Sequence, residues 1–342
     1  MGIGVGIIGW GAISEILHGP CLAGMEECEF VAVCDEREDR LSHAKDVYGC
    51  KGYTDIDAFL EDPNIHLVLV ALPNFLHGPT TLRSLEAGKH AISEKPMAFG
   101  LAEAENILRT ARENKLIVTT HQNRRWDPYY LMIQEFIDEG RFGNPVFFQS
   151  RALGGPWKKT WAGSSKLTGK GPFMSFGPHL LDQILTLAPQ GPIIVSGVVK
   201  SILAEDDYFN AFLTFSDGST ALIELSKAMR LKGAERFHIS FEKGDLLVTA
   251  ADSETFWWHL RGDGEKVQKE KVPEAPPFPI QSRPFYQNVF AAIRGEEPLI
   301  IKPEQSRRYA AIAEAIVRSS EEKKSFVVSC DEAADKGRID PA

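Results

Sequence analysis

The sequence predicts an α/β domain built on a doubly wound parallel sheet over residues 1–122. An α+β domain with a large open, mostly antiparallel sheet is predicted to follow over residues 123–342. Three observations carry this expectation. Apolar runs alternate with helical patterns from residue 3 to about residue 122. A glycine turn, Gly9-Trp10-Gly11, follows the first apolar run. Beyond it, the alternation gives way to runs of strand period separated by turn pairs. A length of 342 residues suits about two domains of ordinary size.

The strand candidates of the first domain are Ile3–Ile8, Phe30–Cys34, Leu67–Leu72, His90–Ser93 and Leu116–Thr120. They read as continuous apolar runs, the pattern of strands covered on both faces. Helical spacing shows in Leu101, Ala104, Ile107, Leu108 and Ala111, which recur at i, i+3 and i+4. Strand–helix–strand units close by right-handed crossovers, so the sheet is parallel. Ligands of such sheets bind beyond the carboxyl ends of the strands, where strand order reverses.

In the glycine turn, Gly9 permits the tight bend and Gly11 lets backbone N–H groups approach a pyrophosphate, with Ala12 and Ile13 opening the helix. Ser14 stands where a third Gly or Ala is usual, and a serine is small enough for close helix–strand packing. Asp35 ends the second strand, twenty-one residues beyond Ser14, where a carboxylate accepts from ribose hydroxyls and favours NAD. Glu36 adds a second negative charge against a 2′-phosphate, whereas Arg37 and Arg40 soften that objection and leave NADP open. A solvated strand-end carboxylate is the plain alternative for Asp35.

The second domain begins with a helical pattern over Tyr129–Glu139. Strand alternation then appears over Val146–Arg151, Val195–Lys200, Ala211–Phe215, Ala221–Ser226, Phe237–Phe241, Leu246–Ala250 and Phe256–Leu260. Asp217-Gly218 and Lys243-Gly244 mark hairpin turns. Val272–Arg283 is proline-rich and reads as an ordered loop, and Phe285–Ile293 and Pro303–Ser320 as helices.

The hydrophobic share of 43% and charged share of 25% are those of a soluble globular chain. No window approaches the roughly 18 apolar residues of a membrane span. No secretion signal is evident, so a cytoplasmic location is expected. A formal charge of −9 argues against nucleic acid or an anionic membrane as partner, while leaving room for a local basic patch. Cys21, Cys28, Cys34, Cys50 and Cys330 include no C-x-x-C pair and suit reduced, mostly buried thiols.

Glu94-Lys95-Pro96 leaves the strand His90–Ser93 at its carboxyl end. Together with the glycine turn, this stretch resembles the glucose-fructose oxidoreductase / inositol dehydrogenase / rhizopine catabolism (Gfo/Idh/MocA) family. Leu72-Pro73-Asn74-Phe75-Leu76-His77 is similar to that family's loop bordering the cofactor, and His121–Pro128 to its junction between domains. The resemblance implies a Rossmann domain that binds NAD, or less favourably NADP. A sugar, polyol or related hydroxy compound is the implied substrate, and a homodimer or homotetramer through the second sheet the implied assembly. It gives Lys95 the role of acid/base group, with Pro96 fixing the backbone beside it, often in a cis bond. By the same carry-over Pro73, Asn74 and His77 border the nicotinamide half, and Glu94 accepts from a ribose hydroxyl. A turn built by Pro73 and Asn74, with His77 capping a helix, is the alternative.

Gly169–Asp182 looks like the family's glycine-rich segment and helix, in which an Asp and a His four residues apart face the substrate. His179 matches, and Ser175 replaces the Asp. If the helix has begun there, the two positions share one side. Ser175 orients a hydroxyl but accepts no proton at neutral pH, which puts the family's usual proton path in question. Asp182 either orients His179 or is structural. Arg124 and Trp157 complete the substrate candidates, with Lys158, Trp161, Lys166 and Lys170 crowding the same loop. No metal site is expected, because the His179–Asp182 pair lacks a third ligand. Two other functions stay open: a nucleotide-binding regulator without turnover, and a glycosidase that uses NAD transiently.

Overall fold

The computed structural model describes residues 2–154, 171–229, 235–249, 255–262, 266–330 and 336–342. They divide into two compact units, Met1–Asn123 with Pro276–Ser306, and Arg124–Ala275 with Arg307–Ala342.

The first unit is organised by six parallel strands. They are β1 (Ile3–Ile8), β2 (Cys28–Cys34), β3 (Lys51–Tyr53), β4 (Leu67–Val70), β5 (His90–Ser93) and β6 (Val118–Thr120). Their order is β3-β2-β1-β4-β5-β6, so the sheet grows in opposite directions from β1 and β4. Every residue of β1 and β4 is buried, as continuous apolar runs require. Ile8, Val31, Ala32, Phe59, Ile65, Val68 and Val70 form one core cluster. Each of the Ile, Val and Phe side chains among them contributes about 1.5–3 kcal/mol through burial. The helices between strands are α1 (Gly19–Ala23), α2 (Glu38–Tyr48), α3 (Ile56–Leu60), α4 (His77–Glu86) and α5 (Leu101–Glu113). A π-helical turn over Ser14–His18 leads into α1.

Residues 276–306, which the sequence assigns to the second domain, belong to this first unit. They hold α9 (Phe278–Gln281), inside the stretch expected to be a loop, and α10 (Arg283–Ile293). The Thr119 hydroxyl donates to the Ile301 carbonyl at 2.7 Å, and the Thr120 and Ser306 hydroxyls meet at 2.7 Å.

The second unit carries a ten-stranded sheet in the order β14-β13-β12-β11-β7-β10-β9-β8-β15-β16. Its strands are β7 (Pro145–Leu153), β8 (Ile193–Lys200), β9 (Tyr208–Thr214), β10 (Thr220–Ser226), β11 (Glu235–Phe241), β12 (Gly244–Thr249), β13 (Thr255–Leu260), β14 (Gln268–Lys271), β15 (Phe326–Ser329) and β16 (Arg338–Pro341). β7 and β10 run parallel, and the neighbouring pairs antiparallel. Strand period sorts the side chains: Phe209, Ala211 and Leu213 of β9 are buried, while Phe212 between them faces outward. The helices of this part of the chain are α6 (Pro128–Asp138), α7 (Gly171–Ser175), α8 (Gly177–Leu187) and α11 (Pro303–Glu322).

Ser175 and His179 do not share one continuous helix. Ser175 ends α7, Phe176 stands between the helices as the cap of α8, with φ −118°, and α8 starts at Gly177. Pro178 explains the break, because it has no N–H to bond back one turn and crowds the residue before it.

Candidate functional site

The carboxyl ends of β1, β2, β4 and β5 carry most of the cofactor positions expected from the sequence. Gly9 has φ +97°, and a Cβ there would lie 2.5 Å from the Ala71 carbonyl oxygen, so only glycine fits. Ser14 is fully buried and its hydroxyl donates to the Gly9 carbonyl at 2.6 Å, which ties the turn to the helix it opens. A Cβ on Gly11 would meet nothing within 4 Å. Ala12 and Ile13 are exposed beside it. A tight turn, open space above it and a helix start suit a pyrophosphate, whose oxygens take backbone N–H groups at such a place.

Asp35 follows β2 and is buried. Its carboxylate accepts from the Trp10 N–H at 2.7 Å and the Arg37 N–H at 3.0 Å. Arg40 reaches the same carboxylate at 3.3 Å. The Arg37 guanidinium turns instead to Asp39, at 3.0 Å and 2.5 Å. Both arginines are thus paired with carboxylates.

Pro73 and Asn74 follow β4, where Asn74–Leu76 forms a 3₁₀ turn and Asn74 is buried. His77 starts α4 with its ring inside the protein. Nδ1 lies 2.9 Å from the Pro96 carbonyl and Nε2 2.7 Å from the Leu72 carbonyl. Both nitrogens therefore face main-chain oxygens, and His77 bridges the loops after β4 and β5. Burial outweighs those two acceptors and holds its pKa below the usual histidine value.

Lys95 is half-buried beyond β5, and its bond to Pro96 is cis. Its N–H donates to Glu94 Oε2 at 3.1 Å. Glu94 itself points inward. Its Oε1 receives His121 Nδ1 at 2.8 Å and His18 Nε2 at 3.1 Å. A carboxylate is acceptor only, so both imidazoles donate to it. The other nitrogen of His18, Nδ1, then accepts from the Tyr286 hydroxyl at 2.6 Å. Desolvation lowers the pKa of His18, and it raises that of Tyr286 well above its ordinary value. Burial opposes ionisation of Glu94, but the two imidazole donors prevail and hold its carboxyl well below the usual range. His121 Nε2 has no hydrogen-bond partner among the described residues.

His18, Glu94 and His121 put three ligand-type atoms within 4.8 Å of one another. The carboxylate fully accounts for the N–H groups aimed at it, so the cluster closes as hydrogen bonds around one negative charge. Sequence reasoning misses it: His18 sits in an ordinary helical pattern, and Tyr286 is 268 residues further along the chain.

In the second unit, His179 is buried near the start of α8, with its ring edge-on to Phe176 at 5.6 Å. Ser175 lies at the end of α7. Asp182 faces Arg125, whose Nε and Nη2 lie 2.8 Å and 2.6 Å from its two oxygens, a buried bidentate pair. Arg124 sits in the 3₁₀ turn Asn123–Trp126, its guanidinium 5.2 Å from the Phe176 ring centre and 3.0 Å from Asp127. Trp157, Lys158, Trp161, Lys166 and Lys170 lie outside the described residues. The five cysteines form no disulfide, and burial pushes the thiols of Cys21, Cys28 and Cys34 up to about 12.

Comparison with known proteins covers both units. Residues 3–122 match the model described as oxidoreductase family, NAD-binding Rossmann fold, and residues 130–247 that of the GFO/IDH/MocA C-terminal domain. Scyllo-inositol 2-dehydrogenase (NADP(+)) of Bacillus subtilis (strain 168) is 26% identical, over 95% of this chain and 96% of its own. Myo-inositol 2-dehydrogenase of Thermotoga maritima is 32% identical over 41% of this chain and 42% of its own. Among solved structures, an NAD-binding protein from Listeria innocua superposes with a TM-score of 0.81 at 25% identity, covering 97% of this chain and 98% of that one.

Proposed function

Because the chain belongs to the Gfo/Idh/MocA family of oxidoreductases, we propose that it is a dehydrogenase that oxidises a hydroxyl of a sugar, polyol or related compound with NAD. One observation carries this: the Gly9–Gly11 turn, the Asp35 carboxylate and Lys95 all lie at the carboxyl ends of one parallel sheet. The nicotinamide, when bound, accepts the hydride. The first-unit residues then have separate tasks. The N–H groups opening the helix after Gly11 hold the pyrophosphate, and Asp35 takes the adenosine ribose. Lys95 removes the hydroxyl proton at Nζ. Glu94 anchors the Lys95 backbone, and His77 ties the neighbouring loop to it. His179, in the second unit, hydrogen-bonds a substrate hydroxyl.

NAD is favoured over NADP because Asp35 and Glu36 set two carboxylates there, and Arg37 and Arg40 are engaged with acids. The Bacillus subtilis relative is named for NADP(+), so both nucleotides belong in the test. Purified protein is given each nucleotide with a panel of polyols, aldoses and sugar acids, and reduction is followed at the nicotinamide absorbance. We expect net reduction with NAD. Lys95→Met should lower kcat about 10²–10⁴-fold, the range for a lost acid/base group, and leave NADH affinity within a few-fold. Undiminished turnover in that variant would remove Lys95 from the chemistry.

A further inference from the structure

We propose that Tyr286, His18 and His121 are positioning residues for Lys95. They hold Glu94 Oε1, which leaves Oε2 to fix the peptide N–H of Lys95 and with it the place where the ammonium stands. This goes a step deeper into the dehydrogenase assignment, and rests on it, because Lys95 is the group whose placement the reaction feels.

The peptide that leads into Lys95 is held at both ends. Ser93 Oγ donates to the Glu94 carbonyl at 2.7 Å, and the Lys95 N–H donates to Glu94 Oε2 at 3.1 Å. The Glu94 N–H donates to the Val70 carbonyl at 2.9 Å, which pins the residue to β4 as well. Glu94 keeps Oε2 on the Lys95 N–H only while its other oxygen is fixed. Both lone pairs of Oε1 are taken, by His18 Nε2 at 3.1 Å and His121 Nδ1 at 2.8 Å. His18 Nδ1 accepts from the Tyr286 hydroxyl at 2.6 Å, which keeps the imidazole proton on Nε2, the side that faces Glu94. The two imidazoles pack edge-on at 4.8 Å, and His121 lies edge-on to Phe285 at 4.9 Å, so packing limits how far either ring turns.

The π-helical turn Ser14–His18 delivers His18 to this place. It buries Ser14, Leu17 and His18 and leaves Ile16 exposed. At its start the Ser14 hydroxyl binds the Gly9 carbonyl, and at its end His18 binds Glu94. One turn thus reaches from the glycine bend to the Lys95 loop. Such turns are rare and concentrate at functional sites. Stability alone does not call for the cluster, since well-packed apolar side chains of similar volume are often as stable as a buried charge and its partners. Glu94 and its three partners are nonetheless buried, beside a lysine that is half-buried.

The test compares NAD-saturated wild type with Tyr286→Phe, His18→Leu and His18→Gln. A glutamine amide nitrogen replaces Nε2 as donor to Glu94, and leucine offers none. With a compound that wild type turns over, Tyr286→Phe and His18→Leu should lower kcat about 10–100-fold, the cost of a misplaced reacting group, with KM and NADH affinity within about three-fold. His18→Gln should recover most of that loss. Nitrogen-15 NMR should find the His18 proton on Nε2 in wild type. Acylation of Lys95 by acetic anhydride, followed by mass spectrometry, reads the lysine without turnover and should run several-fold faster in Tyr286→Phe and His18→Leu. Should His18→Leu fail to bind NADH, Tyr286→Phe, which removes a single oxygen atom, decides alone. A proton on Nδ1, an undiminished kcat in Tyr286→Phe, or His18→Gln as impaired as His18→Leu would overturn the proposal. If wild type turns over no compound of the panel, the dehydrogenase assignment falls and the acylation decides. Faster labelling in Tyr286→Phe then upholds the positioning network, and equal labelling overturns it.

Discussion

Glu94 carries a charge that solvent barely touches, and three N–H groups hold it there. Glu94→Ala leaves two buried imidazole donors without an acceptor, each worth about 1–3 kcal/mol, so a loss of about 2–6 kcal/mol is expected in urea unfolding. The pH dependence follows from the directions of the shifts. His18 and His77 have folded pKa values below the unfolded 6.5. The unfolded chain therefore takes up protons first on acidification, and their contribution is complete above about pH 6.5 and declines below it. Glu94, also depressed, keeps its contribution above the ordinary glutamate value of 4.5 and loses it only at lower pH. Urea midpoints should fall between pH 7 and pH 5, and His18→Asn should flatten that decline relative to its own value at pH 7. A midpoint independent of pH over this range would contradict the neutral assignment of His18. That Gly9, Gly11 and Asp35 follow the first two strands was legible from the apolar runs that precede them. The inward turn of Glu94 and His77 was not, since it depends on partners that only the fold brings near.

Elements were legible in proportion to how strongly burial writes them. β1 and β4 are unbroken apolar runs and stand out in the chain. β14, with the sequence QKEK, pairs through its backbone at the end of the sheet and shows no apolar pattern. Its charges discourage further strand addition, a role that hides it from hydrophobic periodicity. β3 is only three residues long and escapes for the same want of signal. The α7–α8 break was written in Pro178, yet the four-residue spacing of Ser175 and His179 suggested one helix. Asp182 shows what holds α8: its bidentate pair with Arg125 fastens the helix to the turn Asn123–Trp126. Asp182→Asn would remove the negative charge that faces a buried guanidinium, at about 3–5 kcal/mol. Thermal unfolding measures it, and a change below about 1 kcal/mol would show the pair to be solvated.

At the scale of the molecule, the first unit is made from two separate pieces of chain. Residues 276–306 supply Tyr286 to His18, the Ile301 carbonyl to Thr119 and Ser306 to Thr120. A fragment ending at Asn123 should therefore lack cooperative unfolding. Joining residues 1–123 to 276–306 through a Gly/Ser linker should restore it, as circular dichroism during heating would report. Cooperative melting of the short fragment alone would refute this.

The same discontinuity bears on how the chain emerges from the ribosome. Amino-terminal domains commonly fold while synthesis continues, at about 5–20 residues per second. Here the nucleotide-binding half waits for its last segment, so it spends roughly 10–40 s incomplete while the intervening sheet is being translated. During that interval His18 lacks Tyr286 and Thr119 lacks the Ile301 carbonyl, and a nascent chain in this state is a natural client for chaperones.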